Sequence, residues 1–233
     1  HRDLHSFPTR RSSDLMHQVV DKLTCTNHRH FLTGHWLPNL LPQLHQQLLQ
    51  GREVADVGCG TGQGLIELAR SYPNSRFTGY EPHPPAFEAA LQRVREAEVE
   101  DRVMLVQADS RALPQERFDF VATFDVVHDV ARPQELVADI FRALRPGGTY
   151  LMQEICGTDG LENLLNPRGA LLFSISSLYC LPVSMALDGA GIGTCMGQSQ
   201  AAGLCAQAGF EDFRKLDFEH PLAVLFCATR PGR

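Results

Sequence analysis

The chain has 233 residues, 43% of them hydrophobic, which suits one domain with a buried core and excludes global disorder. Acidic residues outnumber basic ones, 27 to 21, and the net charge of −6 argues against an electrostatic nucleic-acid binder. The seven cysteines form no C-x-x-C pair and no zinc-type Cys/His spacing, so free thiols in a reducing, cytoplasmic setting are expected, and no metal.

Residues 1–15 carry arginines but no apolar run and no periodicity, and they precede Met16. They read as a non-native or disordered tail, outside the fold. The native sequence then starts abruptly, so the chain is expected to be part of a longer protein. Residues 16–50 form an N-terminal helical segment, in which Leu37, Leu40, Leu41, Leu44, Leu48 and Leu49 recur at helical spacing. His28, His30 and His35 do not share one helical face and have no carboxylate beside them, which argues against a metal site.

The methyl-rich run Val54-Ala55-Asp56-Val57 predicts a strand buried on both faces. Gly58-Cys59-Gly60-Thr61-Gly62 follows as a tight turn, and Leu65, Ile66, Leu68 and Ala69 continue as a helix to about Tyr72. A second strand, Arg76 to Glu81, ends on a carboxylate followed by Pro82. Next come a helix from Pro85 to about Glu98, a strand from Val103 to Gln107, and Asp109-Ser110. A fourth strand, Phe118 to Phe124, runs into Asp125-Val126-Val127-His128-Asp129. A helix from Pro133 to Leu144 stops at Arg145-Pro146-Gly147-Gly148, and Thr149 to Ile155 is a fifth strand.

Residues 156–197 break the alternation and read as a helical cap. The stretch from Ala170 to Leu187 has the length of a short membrane span, but Ser174, Ser176, Ser177, Ser184 and Pro182 favour a cap helix. A last helix, Gln198 to Ala208, precedes two strands, Phe210 to Glu219 and Ala223 to Ala228, able to pair antiparallel. The fold class is therefore α/β: a Rossmann-like, doubly wound, mostly parallel seven-stranded sheet with an antiparallel C-terminal strand and a helical cap insertion. The domain proper spans 51–233.

A strand, glycine turn and helix N-terminus make a nucleotide-binding corner. The dinucleotide pattern G-x-G-x-x-G requires glycine at 63, which is Gln here. Asp56 would oppose a pyrophosphate but could orient the turn or face a ligand ammonium, which favours an adenosyl amino acid.

The chain resembles the class I S-adenosylmethionine-dependent methyltransferases in Val54 to Gly62, in Glu81, in Ala108-Asp109 and in Leu144 to Gly148. Within that class it is similar to a subgroup with an N-terminal winged-helix domain, a domain absent from this chain. Thr123 to Asp129, Tyr150 to Glu154 and Gly189 to Thr194 carry the narrower likeness. The resemblance implies S-adenosyl-L-methionine as cofactor, held by Asp56, Gly58, Cys59, Gly60, Gly62, Glu81, Pro82, Asp109, Ser110, Phe124 and Asp125. Glu81 would accept the ribose hydroxyls, and Asp109 would accept the adenine amino group. The other readings are a solvent-exposed strand end for Glu81 and a helix N-cap for Asp109.

In methyl transfer the cofactor supplies reactivity and the protein positions the acceptor. An oxygen or nitrogen acceptor loses a proton, and His128 is the candidate base, oriented by Asp129 or Glu154. Leu171, Leu172, Phe173, Leu178, Tyr179 and Leu181 in the cap suggest a pocket for a small apolar or aromatic acceptor, or simply pack the cap. No nucleic-acid or membrane partner is expected, and a homodimer is left open. Two rival readings stand beside this one. One is a non-catalytic, cofactor-binding regulator. The other is an NAD-dependent oxidoreductase, disfavoured by Gln63 and by the lack of a Tyr-x-x-x-Lys pair.

Overall fold

The computed structural model describes residues 21–232 except 23, 158, 161–164 and 187, so the 1–15 segment lies outside the described residues. Two N-terminal helices, α1 (His28–Leu40, π-helical) and α2 (Pro42–Gln50), precede β1 (Glu53–Val57) and α3 (Gln63–Ser71). There follow β2 (Arg76–Tyr80), α4 (Pro84–Glu96), β3 (Val103–Val106), a 3-10 turn at Ser110–Ala112, β4 (Phe118–Phe124), α5 (Pro133–Ala143) and β5 (Leu144–Ile155). The cap contributes α6 (Pro167–Leu178), α7 (Cys180–Met185) and a 3-10 turn at Gly193–Cys195. The chain closes with α8 (Gln198–Ala208), β6 (Glu211–Lys215) and β7 (Ala223–Thr229).

The seven strands order as β3-β2-β1-β4-β5-β7-β6. β1 through β5 pair in parallel, and β7 runs antiparallel to both β5 and β6. The order reverses between β1 and β4, so a crevice opens at their C-terminal ends, where open α/β sheets bind ligands. The central position of β4 explains its composition. Phe120, Val121 and Ala122 are wholly buried because helices cover both faces.

Two cores flank the sheet. One joins α1, α2 and α3 to Val54, Phe77 and Phe120, with Trp36, Leu37 and Leu48 fully buried. The other joins α5 and α8 to Val57, Val121 and Phe226. Each large apolar side chain so buried stabilises the fold by about 1.5–3 kcal/mol. Gly79 in β2 lets α3 approach the sheet: a Cβ there would lie 2.5 Å from Leu65 Cδ1 and 2.8 Å from Cys59 Sγ.

Two boundaries differ from the sequence reading by more than two residues. β5 begins at Leu144 rather than Thr149, because Gly147 at φ +78° lets Arg145-Pro146-Gly147-Gly148 run on into the sheet. β6 stops at Lys215, its residues largely exposed at the sheet edge. The cap run breaks at Tyr179 into two helices. By length and composition alone, Pro167–Met185 could cross a membrane, and 33% of that window is buried in the fold. Leu171, Leu178 and Leu181 point to solvent, which removes these three from the pocket lining suggested by the sequence, while Leu172 and Tyr179 are buried. In α6, residues 171 and 178 share a face turned roughly 100–120° from Leu172, and Leu181 lies on the separate helix α7.

Candidate active site

The glycine turn leaves β1 and is pinned by its neighbour strand. Gly58 N–H and Cys59 N–H both donate to the Tyr80 carbonyl, at 2.8 and 3.1 Å. Gly58, Gly60 and Gly62 have φ of +76°, +55° and +81°, a region that favours glycine. A Cβ on Gly58 would lie 2.7 Å from Val126 Cγ2, whereas one on Gly60 would meet nothing within 4 Å. The turn is therefore packed at Gly58 and open at Gly60, and a side chain at 60 would enter free space rather than clash with the chain. The Cys59 thiol packs inward against the core at the foot of α3 and β2.

At the end of β2, buried Glu81 accepts from Gly60 N–H at 2.9 Å and from His83 N–H at 2.8 Å. Burial raises its pKa against the pull of these two donors. The carboxylate thus belongs to the turn and is no loose strand end. Pro82 beside it is exposed. Asp109 is the N-cap of the 3-10 turn, accepting from Arg111 N–H at 3.0 Å and from the Arg111 guanidinium at 2.5 Å, which hold it below its usual range. Ser110 Oγ donates to Asp139 Oδ2 of α5 at 2.6 Å. In this arrangement the capping role anticipated for Asp109 is the one its carboxylate fills, and Ser110 serves the α5 contact.

The sequence missed what the N-terminal segment does here. Asp21 bonds Thr61 Oγ1 of the turn and pairs with Arg93 of α4 at 2.9 Å. Arg29 donates to Gln63 at 3.0 Å. His28 is buried against the Phe124 ring, centroids 4.4 Å apart, and neither of its ring nitrogens has a hydrogen-bond partner. A Cβ on Gly64 would lie 3.3 Å from His28 Nδ1 and also 3.3 Å from Asp56 Oδ2, so imidazole and carboxylate converge on one spot. Asp56 Oδ1 is likewise buried and unpartnered. A buried polar atom costs free energy unless it is bonded, so such a pair marks a place for a ligand. The sequence singled out His28 only as part of a histidine triplet, whose spacing argued against a metal site and gave no other role.

Burial pushes Asp56 up to about 8, helped by the Glu81 charge, and pushes His28 down to about 4. Because the raised Asp56 value favours its protonated form in the folded chain, the native state holds a proton that the unfolded state releases above its ordinary value of 3.8. The Asp56 contribution to stability is therefore lost as pH rises from about 4 to about 8, while the depressed His28 acts the other way, its penalty easing as pH rises from about 4 to 6.5. Thermal unfolding of the ligand-free protein should show the decline above about pH 6.5, where His28 no longer opposes it, and Asp56→Asn should lessen it. An equal slope in the variant would place the titration elsewhere.

At the end of β4, Asp125 adopts φ +57°, a left-handed conformation unusual outside glycine. It accepts from Gln153 Nε2 at 2.8 Å and from Thr24 Oγ1 at 3.4 Å. His128 is 2% exposed and lies between two carboxylates: Glu154 Oε2 at 2.5 Å from Nδ1, and Asp129 Oδ1 at 3.0 Å from Nε2. Glu154 is itself fixed by the Val127 N–H at 2.9 Å. Burial disfavours the imidazolium, but the two carboxylates outweigh it and the net shift is upward. The structure thus brings together His128, Asp129 and Glu154, as their spacing around β4 and β5 suggested. It adds Cys180 of α7, whose Sγ lies 3.5 Å from Nε2. A polar surface cleft of about 350 Å³, lined by Arg52, Glu53, Asp119 and Arg145, lies at the opposite, N-terminal end of the strands, away from these groups.

Comparison with known proteins agrees with this geometry. A family described as a methyltransferase domain matches residues 54–148. A ubiquinone/menaquinone biosynthesis C-methyltransferase from Syntrophotalea carbinolica is 26% identical over 192 residues, 77% of this chain and 78% of that one. A fatty-acid O-methyltransferase from Mycolicibacterium smegmatis is 31% identical over 105 residues, 44% of this chain and 37% of that one. The structure of human N-acetylserotonin methyltransferase in complex with SAM superposes with a TM-score of 0.66 at 21% identity, covering all of this chain and 60% of the human one.

Proposed function

We propose that this chain, which belongs to the class I S-adenosylmethionine-dependent methyltransferases, moves the cofactor's methyl group to an oxygen or nitrogen of a small apolar or aromatic molecule. The observation that carries the reading is the buried His128, held by Glu154 at one ring nitrogen and facing Asp129 with the other, at the crevice end of β4. The residues around the glycine turn suit S-adenosylmethionine. Unpartnered Asp56 Oδ1 and the bare ring nitrogens of His28 match an ammonium and a carboxylate, and Gly60 leaves open space above the turn. When bound, the cofactor supplies an electrophilic methyl group on a sulfonium.

The chain's own work is then positioning and proton handling. Glu81 accepts the ribose hydroxyls through lone pairs not used by Gly60 and His83. Asp56 faces the ammonium, and neutral His28 donates to the carboxylate, so the N-terminal helix closes the amino-acid end. To act as base, His128 first releases the proton that its two carboxylates favour; neutral, it takes the acceptor's proton at Nε2 while Glu154 keeps the ring oriented, and both carboxylates stabilise the imidazolium that forms. The net charge supports a small molecule rather than nucleic acid as partner, and the free thiols support a cytoplasmic setting.

Relatives that methylate carbon and relatives that methylate oxygen both match the chain. The deciding experiment is turnover of labelled S-adenosylmethionine over a panel of phenols, amines, carboxylic acids and quinol-type carbon acceptors. Label appearing only on carbon would overturn the oxygen-or-nitrogen reading. Binding of S-adenosylhomocysteine with no methyl transfer to any acceptor would favour a cofactor-binding regulator instead. His28→Ala should weaken S-adenosylhomocysteine binding by about 1.5–3 kcal/mol, the range for a hydrogen bond to a charged acceptor. Calorimetric affinity equal to wild type would remove His28 from the site.

A further inference from the structure

We infer that His128, Asp129 and Cys180 together form a binding site for a soft divalent cation of the zinc class. One donor atom from each lies within 4.8 Å of the other two. The His128 Nε2 to Cys180 Sγ separation is 3.5 Å, and Nε2 to Asp129 Oδ1 is 3.0 Å. With metal–ligand bonds of about 2.0–2.3 Å, the edges of a tetrahedral site run about 3.3–3.6 Å; the two edges at His128 are close to this, and the third, within 4.8 Å, would close as an ion is seated. His128 and Cys180 are 2% and 5% exposed, which shields the site from competing ligands.

The surroundings are those of a metal-binding imidazole. The Glu154 carboxylate at Nδ1 fixes the ring so that Nε2 faces the other two donors, and Glu154 is anchored in turn by a backbone N–H. A carboxylate on the far nitrogen is the usual outer partner of a ligating histidine. Thiolate and imidazole select zinc over magnesium or calcium, which require oxygen donors. Negative charge from Asp129 and Glu154 offsets the dication. Three protein ligands also leave a fourth position for an exchangeable donor.

The ligands come from two parts of the fold. His128 and Asp129 follow β4, and Cys180 opens α7 of the cap, so an ion would tie the cap to the sheet beside the crevice. Their separation of 52 positions hides the set from any spacing rule. The same nitrogen cannot hold an ion and receive a proton, so the metal-loaded and proton-accepting forms are two states of one cluster. Metal binding itself does not depend on the methyl-transfer reading.

The test uses the full chain, stripped with a chelator and titrated with Co²⁺ and then Zn²⁺. The expected result is one equivalent of Co²⁺ with a tetrahedral, thiolate-containing absorption spectrum, bleached when Zn²⁺ displaces it. Cys180→Ser should lose the thiolate band, Cys156→Ser should keep it, and Glu154→Gln should weaken affinity roughly 10- to 100-fold. Zn²⁺ should also raise the unfolding temperature of the wild type but not of Cys180→Ala, a comparison made within each protein and so insensitive to lost stability. Absence of stoichiometric binding to the wild type, or a thiolate band surviving in Cys180→Ser, would overturn the assignment.

Discussion

His128→Ala is expected to lower methyl-transfer turnover by roughly 10²- to 10⁴-fold, the usual worth of a positioned general base, while S-adenosylhomocysteine affinity stays close to wild type. The asymmetry follows from position: His128 belongs to the β4 end, and the turn, Glu81, Asp56 and His28 form a separate set of contacts. The substitution also carries a structural cost. Glu154 has 0% side-chain exposure and would lose its partner, and breaking a buried pair costs about 3–5 kcal/mol. That is a large share of the roughly 5–15 kcal/mol that holds a domain together. His128→Ala combined with Glu154→Gln removes the stranded charge and keeps the turnover measurement interpretable. A wild-type rate in a folded variant would take His128 out of the mechanism.

For Glu81→Ala, calorimetry with S-adenosylhomocysteine should show a loss of about 1.5–3 kcal/mol, the range for hydrogen bonds to a charged acceptor, or roughly 10- to 150-fold in affinity. Two effects act together. The ribose loses its acceptor, and Gly60 N–H and His83 N–H lose theirs. Both donors are only part-buried, so each costs less than the roughly 1–3 kcal/mol of a buried unsatisfied group, and the unfolding temperature should drop modestly. Glu81→Gln separates the contributions in part, since the amide keeps one acceptor oxygen, enough for Gly60 N–H or His83 N–H but not both, and offers the ribose no charge. Unchanged affinity in both variants would refute the ribose assignment.

The sequence by itself determined the alternation of strand and helix, the parallel sheet and the glycine turn. These rest on local physics: apolar runs suited to strands buried on both faces, helical periodicity, and glycine where φ must be positive. β4 and α8 fall at Phe118–Phe124 and Gln198–Ala208, as their patterns indicate. The identity of the chemistry-bearing cluster was also legible in part, because Asp125, His128 and Asp129 follow one strand and Glu154 ends its neighbour.

Only the tertiary structure decided which groups meet across long separations. Thr24 touches Asp125 across 101 positions, Arg93 reaches Asp21 across 72, and Cys180 reaches His128 across 52. No periodicity encodes such contacts, since they depend on how the N-terminal segment and the cap dock onto the sheet. The same docking leaves Leu171, Leu178 and Leu181 in solvent while it buries Leu172, and it strips His28 and Asp56 of water without giving them partners. Composition fixes how much apolar surface must be covered; the packing fixes which polar atoms are trapped beneath it, and those atoms define the site.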